Sequence, residues 1–198
     1  MLEIKNPNDR RVLKTKRAIR NALAQLLAER ELTEITVTDV ADLADINRKT
    51  FYNYYTGIHQ VVGEIEDEIT RDVGEILGDL SVSLDPAGTY AVFEKLAAVI
   101  NTDMEFYGAL LQINGNANLT NKLTELLKDR FRRALEAEMD PTLLEIGLEY
   151  AVSGMMAVFR GWLLSDRTES IETVSQTVGV LFFRGMEGIR NGKLKIEN

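Results

Sequence analysis

Residues 36–55 read Thr36-Val37-Thr38-Asp39-Val40-Ala41-Asp42-Leu43-Ala44-Asp45-Ile46-Asn47-Arg48-Lys49-Thr50-Phe51-Tyr52-Asn53-Tyr54-Tyr55. Thr36 and Asp39 have the spacing of a capping box, so a helix is expected from Val37 to about Ala44. Asp45-Ile46 makes a tight turn, and Asn47 is a suitable N-cap for a further helix from Arg48 to about Tyr55. Two short helices joined by three or four residues form a helix-turn-helix pattern. Val37, Val40, Ala41, Ala44, Ile46 and Phe51 supply its small core, and Ala41 permits a close crossing. Asn47, Arg48, Lys49, Thr50, Tyr52, Asn53 and Tyr54 are left on the outer face, with Thr36 and Thr38 at the start of the preceding helix. That set mixes phosphate ligands with groups that read base edges in a major groove. Tyr55 is balanced between core and phosphate contact.

The segment before this unit completes it. Ile19, Ala22, Leu23, Leu26 and Leu27 recur at i, i+3, i+4, i+7 and i+8, one face of a helix from Val12 to about Arg30. Arg10, Arg11, Lys14, Lys16, Arg17 and Arg20 lie before or beside that stripe with no acidic residue among them. The chain as a whole carries −8, yet residues 1–55 hold 10 Lys+Arg against 8 Asp+Glu. The basic footprint is therefore local, and the acidic remainder limits non-specific adhesion to DNA.

The rest reads as helices. Thr56-Gly57 opens a long one, Ile58 to about Leu80, and a break is expected at Ser83–Gly88. Further helices are expected at Thr89–Asn101, Asp103–Ile113, Leu119–Met139, Pro141–Ser165 and Glu169–Asn191, with Asp140 capping ahead of Pro141. The fold class is all-α. Residues 1–56 form a three-helix DNA-binding domain and 57–198 a helical effector-binding and dimerisation domain.

The absence of cysteine excludes disulfides and thiolate metal sites, and no cofactor or metal is expected. His59 stands alone and reads as an exposed helix residue. No P-loop, dinucleotide fingerprint or catalytic triad spacing is present, which argues against an enzyme. The N-terminus has no signal-peptide core and no apolar run approaches a membrane span, so a cytoplasmic protein is expected. Phe93, Met104, Phe106, Tyr107, Tyr150, Met155, Phe159 and Trp162 suit an apolar effector pocket, and equally an ordinary core. Arg130, Arg132 and Arg133 suit an anion or a solvated face.

Gly147, Gly154 and Gly161 repeat every seven residues. Each costs roughly 1 kcal/mol against Ala inside a helix, so close helix approach is expected there. The last helix carries a matching stripe with Val174, Val178, Leu181, Phe182 and Gly185. Together these residues predict a homodimer through a four-helix bundle; the alternative is intramolecular packing or ligand approach.

Lys14-Thr15-Lys16, Ile35 to Ala41, and Asn47-Arg48-Lys49-Thr50-Phe51-Tyr52-Asn53-Tyr54-Tyr55 resemble the tetracycline-repressor (TetR/AcrR) family, over residues 10–65. Gly154 followed by Trp162 is similar to the effector domains of many members. The resemblance implies a dimeric regulator that binds a palindromic operator in double-stranded DNA and is released by a small molecule. Effector binding would then move the fourth helix like a lever. Two positions depart from the pattern: the turn has Asp45 where Gly is usual, and the fourth helix begins at Ile58 where Lys usually meets a phosphate. Repressor and activator remain open, as does a helical small-molecule carrier or enzyme without DNA binding.

Overall fold

A computed structural model describes residues 10–78, 86–102, 104, 107–108, 110 and 118–192. Among these, all regular structure is helical: α1 Arg10–Leu27, a 3-10 turn Leu32–Glu34, α2 Val37–Leu43, α3 Arg48–Tyr52, α4 Ile58–Gly78, α5 Pro86–Thr102, α6 Asn118–Leu135, α7 Pro141–Leu163 and α8 Ile171–Arg190. The chain divides into two compact units, residues 1–69 with 105–115 and residues 70–104 with 116–198.

In the first unit the expected stripe of α1, Ile19, Ala22, Leu23, Leu26 and Leu27, is buried throughout. Val40 and Ala41 of α2 and Phe51 of α3 are also buried, whereas Val37, Ala44 and Ile46 are only half-buried. The capping box forms as expected. The Asp39 amide donates to Thr36 Oγ1 at 3.2 Å and the Thr36 amide donates back to Asp39 Oδ2 at 2.7 Å. These Thr36 hydrogen bonds hold the Asp39 carboxyl below its usual range.

The turn between α2 and α3 is a Schellman motif. The Ile46 amide reaches the Ala41 carbonyl at 3.0 Å and the Asp45 amide reaches Asp42 at 3.2 Å. Asp45 occupies the left-handed position at φ 53°. Glycine adopts that conformation without a Cβ clash, so Asp45→Gly is expected to stabilise by about 0.5 kcal/mol, strain relief exceeding the added chain entropy. A rise in the urea midpoint of unfolding, at unchanged slope, is the measurement.

Several boundaries differ from the sequence reading. α3 stops at Tyr52, because Asn53, Tyr54 and Tyr55 close a tight turn on the carbonyls of Lys49, Thr50 and Phe51. The Thr56 amide then donates to the Gln60 side chain at 2.7 Å ahead of α4. Pro86-Ala87-Gly88 opens α5 where a break was expected, proline being tolerated in a first turn where its missing N–H has no partner to lose. Of the helix expected over Asp103–Ile113, Met104, Tyr107, Gly108 and Leu110 are helical and the remaining residues lie outside those described.

In the second unit α8 packs on α5 and α7, and α7 on α6. Three rings form its centre. Phe131 lies 4.3 Å and Phe93 5.9 Å, centroid to centroid, from Phe182. Asp140 caps α7 by accepting from the amides of Thr142 and Leu143. Ion pairs tie α6 to α7: Lys128 to Glu149 at 2.5 Å, and Arg132 to Glu145 through two hydrogen bonds of 2.6 and 2.9 Å.

Candidate nucleic-acid interface

Burial of one ring orients the recognition face. Phe51 is fully buried, and the rotation of α3 that places it inward turns Arg48, Lys49 and Tyr52 outward. Tyr52 meets Phe51 edge-on at 5.7 Å and is 46% exposed, so its hydroxyl end is available beyond the core. Thr50, Asn53 and Tyr54 are half-buried flanking residues. Asn47 is exposed, but its Oδ1 accepts from the Lys49 amide at 2.8 Å, so it caps α3 with its oxygen and keeps its amino group as a donor. Thr38 is exposed, whereas the Thr36 hydroxyl is held in the capping box at 2.6 Å from Asp39.

Along α1, Arg10, Arg11, Lys14 and Arg17 are exposed. Lys16 and Arg20 turn to the other side, where they pair with Glu64 and Glu68 of α4. His59 is exposed, and no group of three metal-ligating side chains occurs among the described residues. Ile58, at the expected phosphate position, is buried and serves the core of the unit.

The predicted effector residues do not share one environment. Phe93, Met155 and Phe159 are buried within the second unit, and Met104 and Tyr107 are half-buried. Phe106 lies outside the described residues. Trp162 donates its indole N–H to the Glu169 carbonyl at 2.8 Å and so fastens the loop between α7 and α8. Tyr150 is 84% exposed, which places it outside any pocket of the protomer and corrects the sequence reading.

The predicted dimer residues divide as well. Gly154, Gly161, Leu181 and Gly185 are exposed, and Val174 is half-buried. Val178 and Phe182 face the protomer's own core, and a Cβ on Gly147 would meet Ile189 and Met186 at 2.9 and 3.0 Å. These three therefore serve intramolecular packing. Beside the exposed Leu181, the structure also exposes Leu143, Ile146, Tyr150 and Val158 on α7 and Val180 on α8, none of which the glycine repeat or the apolar stripe marked as interface. On α7, Leu143, Ile146 and Tyr150 recur at i, i+3 and i+7, a second apolar row that the sequence carries. α7 is long and apolar enough to cross a membrane, with a mean hydropathy of 1.3 over its best window and 33% of that window buried. It is apolar on two sides, one of which the protomer covers.

Comparison with known proteins bears on both units. The family model of a transcriptional regulator C-terminal region matches residues 89–184. The chain is similar to YxbF, an uncharacterized HTH-type transcriptional regulator of Bacillus subtilis (strain 168), with 32% identity over 79 residues. That match covers 39% of this chain and 20% of the relative, so the chain spans about a fifth of its length. Among solved structures, NalD of Pseudomonas aeruginosa, the secondary repressor of the MexAB-OprM multidrug efflux pump, has a TM-score of 0.70 at 16% identity, covering 89% of this chain and 98% of that one. A TetR transcriptional regulator from Streptococcus agalactiae 2603V has a TM-score of 0.64 at 20% identity, covering 88% and 96%. At those identities the likeness is one of fold.

Proposed function

We propose that the chain is a transcriptional regulator of the TetR family, a homodimeric repressor, acting in the cytoplasm, that leaves a palindromic operator when a small molecule binds; the match of residues 89–184 to a regulator C-terminal model supports this reading. The observation that carries this reading is the outward face of α3, with Arg48, Lys49 and Tyr52 fixed over the buried Phe51. Arg48 and Lys49 supply charge-assisted donors to phosphate or guanine, and the Tyr52 hydroxyl supplies a donor to a phosphate oxygen. Arg10, Arg11, Lys14 and Arg17 add a sequence-independent attraction along α1. Each copy reads one half-site, and the dimer sets the spacing between the two.

In this reading residues 1–56 do the reading and 57–198 receive the effector and dimerise. α4 contributes Ile58–Ile69 to one compact unit and Thr70–Gly78 to the other, so the same helix is bonded into both. A ligand that favours one placement of α4 shifts the population between DNA-competent and DNA-incompetent forms. An apolar effector suits the aromatic and methionine content of the second unit.

The test is selection from random-sequence DNA at about 150 mM salt, near physiological ionic strength. A palindrome with two half-sites is expected. The double variant Lys49→Ala/Tyr52→Ala should bind the selected palindrome at least about 100-fold more weakly, since each lost contact is worth roughly 1–3 kcal/mol and occurs twice in the dimer. Wild-type affinity in that variant would mean that α3 is not the reading element.

A further inference from the structure

Lys16 stands one turn before Arg20 on α1, and Glu64 one turn before Glu68 on α4. The Lys16 ammonium donates to both oxygens of Glu64, at 3.0 and 2.8 Å, and Arg20 is paired with Glu68. Because the donors and acceptors ascend in the same order, α1 and α4 run in the same direction where they meet. Tyr55 lies beneath this ladder. Its ring is 3% exposed, 5.6 Å from Phe51 and 5.4 Å from the Lys16 ammonium. Burial, then the Glu64 charge, push the Tyr55 phenol up from its ordinary value, so the hydroxyl keeps its proton. The three side chains line a cleft of about 160 Å³ walled by Leu13, Val61 and Ile65.

Three elements meet at one ammonium, which Glu64 holds by two hydrogen bonds over the Tyr55 ring. Lys16 brings α1, Tyr55 brings the turn that leaves the recognition helix, and Glu64 belongs to α4. We infer that Lys16 is not a phosphate ligand but the centre of a Lys16–Glu64–Tyr55 latch, in which Glu64 is the positioning residue that holds the ammonium over the Tyr55 ring and so sets α1 and the recognition segment on α4. A lysine that neutralises DNA presents its ammonium to a phosphate; this one is engaged by a carboxylate that repels phosphate. The inference also supplies a path for the proposed response. Movement of α4 at Glu64 is passed to Lys16 of α1 by the ion pair, and from the Lys16 ammonium to the Tyr55 ring at the end of the α3 segment.

The inference deepens the DNA-binding reading and rests on it, so its test separates the two. Lys16→Met and Glu64→Gln keep size and the apolar stem while removing the charge pair. With the selected palindrome, each is expected to weaken binding about tenfold, the double variant no further than either single, because both break one interaction. The slope of log affinity against log salt should stay that of wild type in all three, since no phosphate contact is lost. A slope flattened by about one unit in Lys16→Met identifies a phosphate ligand and overturns the inference. Additive losses in the double variant, or wild-type binding by both single variants, overturn it equally. If the wild-type protein selects no DNA, the repressor reading fails while the latch stays testable by amide hydrogen exchange. Both variants should then speed exchange along α1 to the same degree, and the double no further; unchanged or additive rates reject the latch.

Discussion

Phe51→Ala is expected to unfold the first unit and abolish DNA binding while the helices of the second unit persist. Phe51 is fully buried, meets Tyr52 edge-on at 5.7 Å and stands 5.6 Å from Tyr55. Truncating such a ring costs about 3–5 kcal/mol, from lost transfer energy and from the cavity left behind. A helical unit of this size has a total stability of the same order, so the loss takes most of it. Urea titration followed by circular dichroism should show an early transition absent from the wild type, with the remaining ellipticity lost at the original midpoint. Phe51→Leu, which leaves most of the volume, should cost less than about 1.5 kcal/mol and keep DNA binding. One undivided transition in Phe51→Ala, at the wild-type midpoint and with DNA binding intact, would show that this ring does not organise the reading unit.

Local chemistry made the first unit legible. The Thr36–Asp39 capping box, the Asn47 cap and the α1 stripe each depend on residues within one or two turns, and each forms. Asp140 with Pro141 marks the start of α7 for the same reason. What stayed hidden depends on distant partners. Lys16 reads as one more cation of a basic helix until Glu64, 48 residues later, is placed beside it. The glycine repeat misled for a geometric reason. Residues seven apart share nearly one face of a helix, but only its Gly147 end meets Ile189 and Met186 of α8, while Cβ atoms on Gly154 and Gly161 would meet nothing within 4 Å. On α8 two apolar faces share the helix, and periodicity alone does not say that Val178 and Phe182 point inward while Val180 and Leu181 point out.

Gly154→Leu separates the two demands on α7. The exposed apolar positions Ile146 at 62%, Tyr150 at 84%, Val180 at 59% and Leu181 at 66% lie on two helices that pack together. A monomer seldom leaves such a surface to water, whereas a two-fold interface covers it with its own copy. A Cβ on Gly154 meets nothing within 4 Å in the protomer, so a leucine there is accommodated, and the helix gains roughly 1 kcal/mol in propensity. Across a two-fold axis the same leucine enters twice where the glycine permits close approach. Overpacking costs about 1–3 kcal/mol per copy, so the dimer should dissociate about 100-fold more readily or worse. Sedimentation equilibrium should therefore show monomers that melt no lower than the wild-type protomer. Binding to the palindrome should fall in parallel while binding to an isolated half-site is retained. Gly147→Leu should do the reverse, lowering the melting temperature first, because its side chain would run into Ile189 and Met186 of the same protomer. A Gly154→Leu protein that remains a tight dimer with wild-type operator affinity would move the interface off this face and leave its apolar stripe to some other partner.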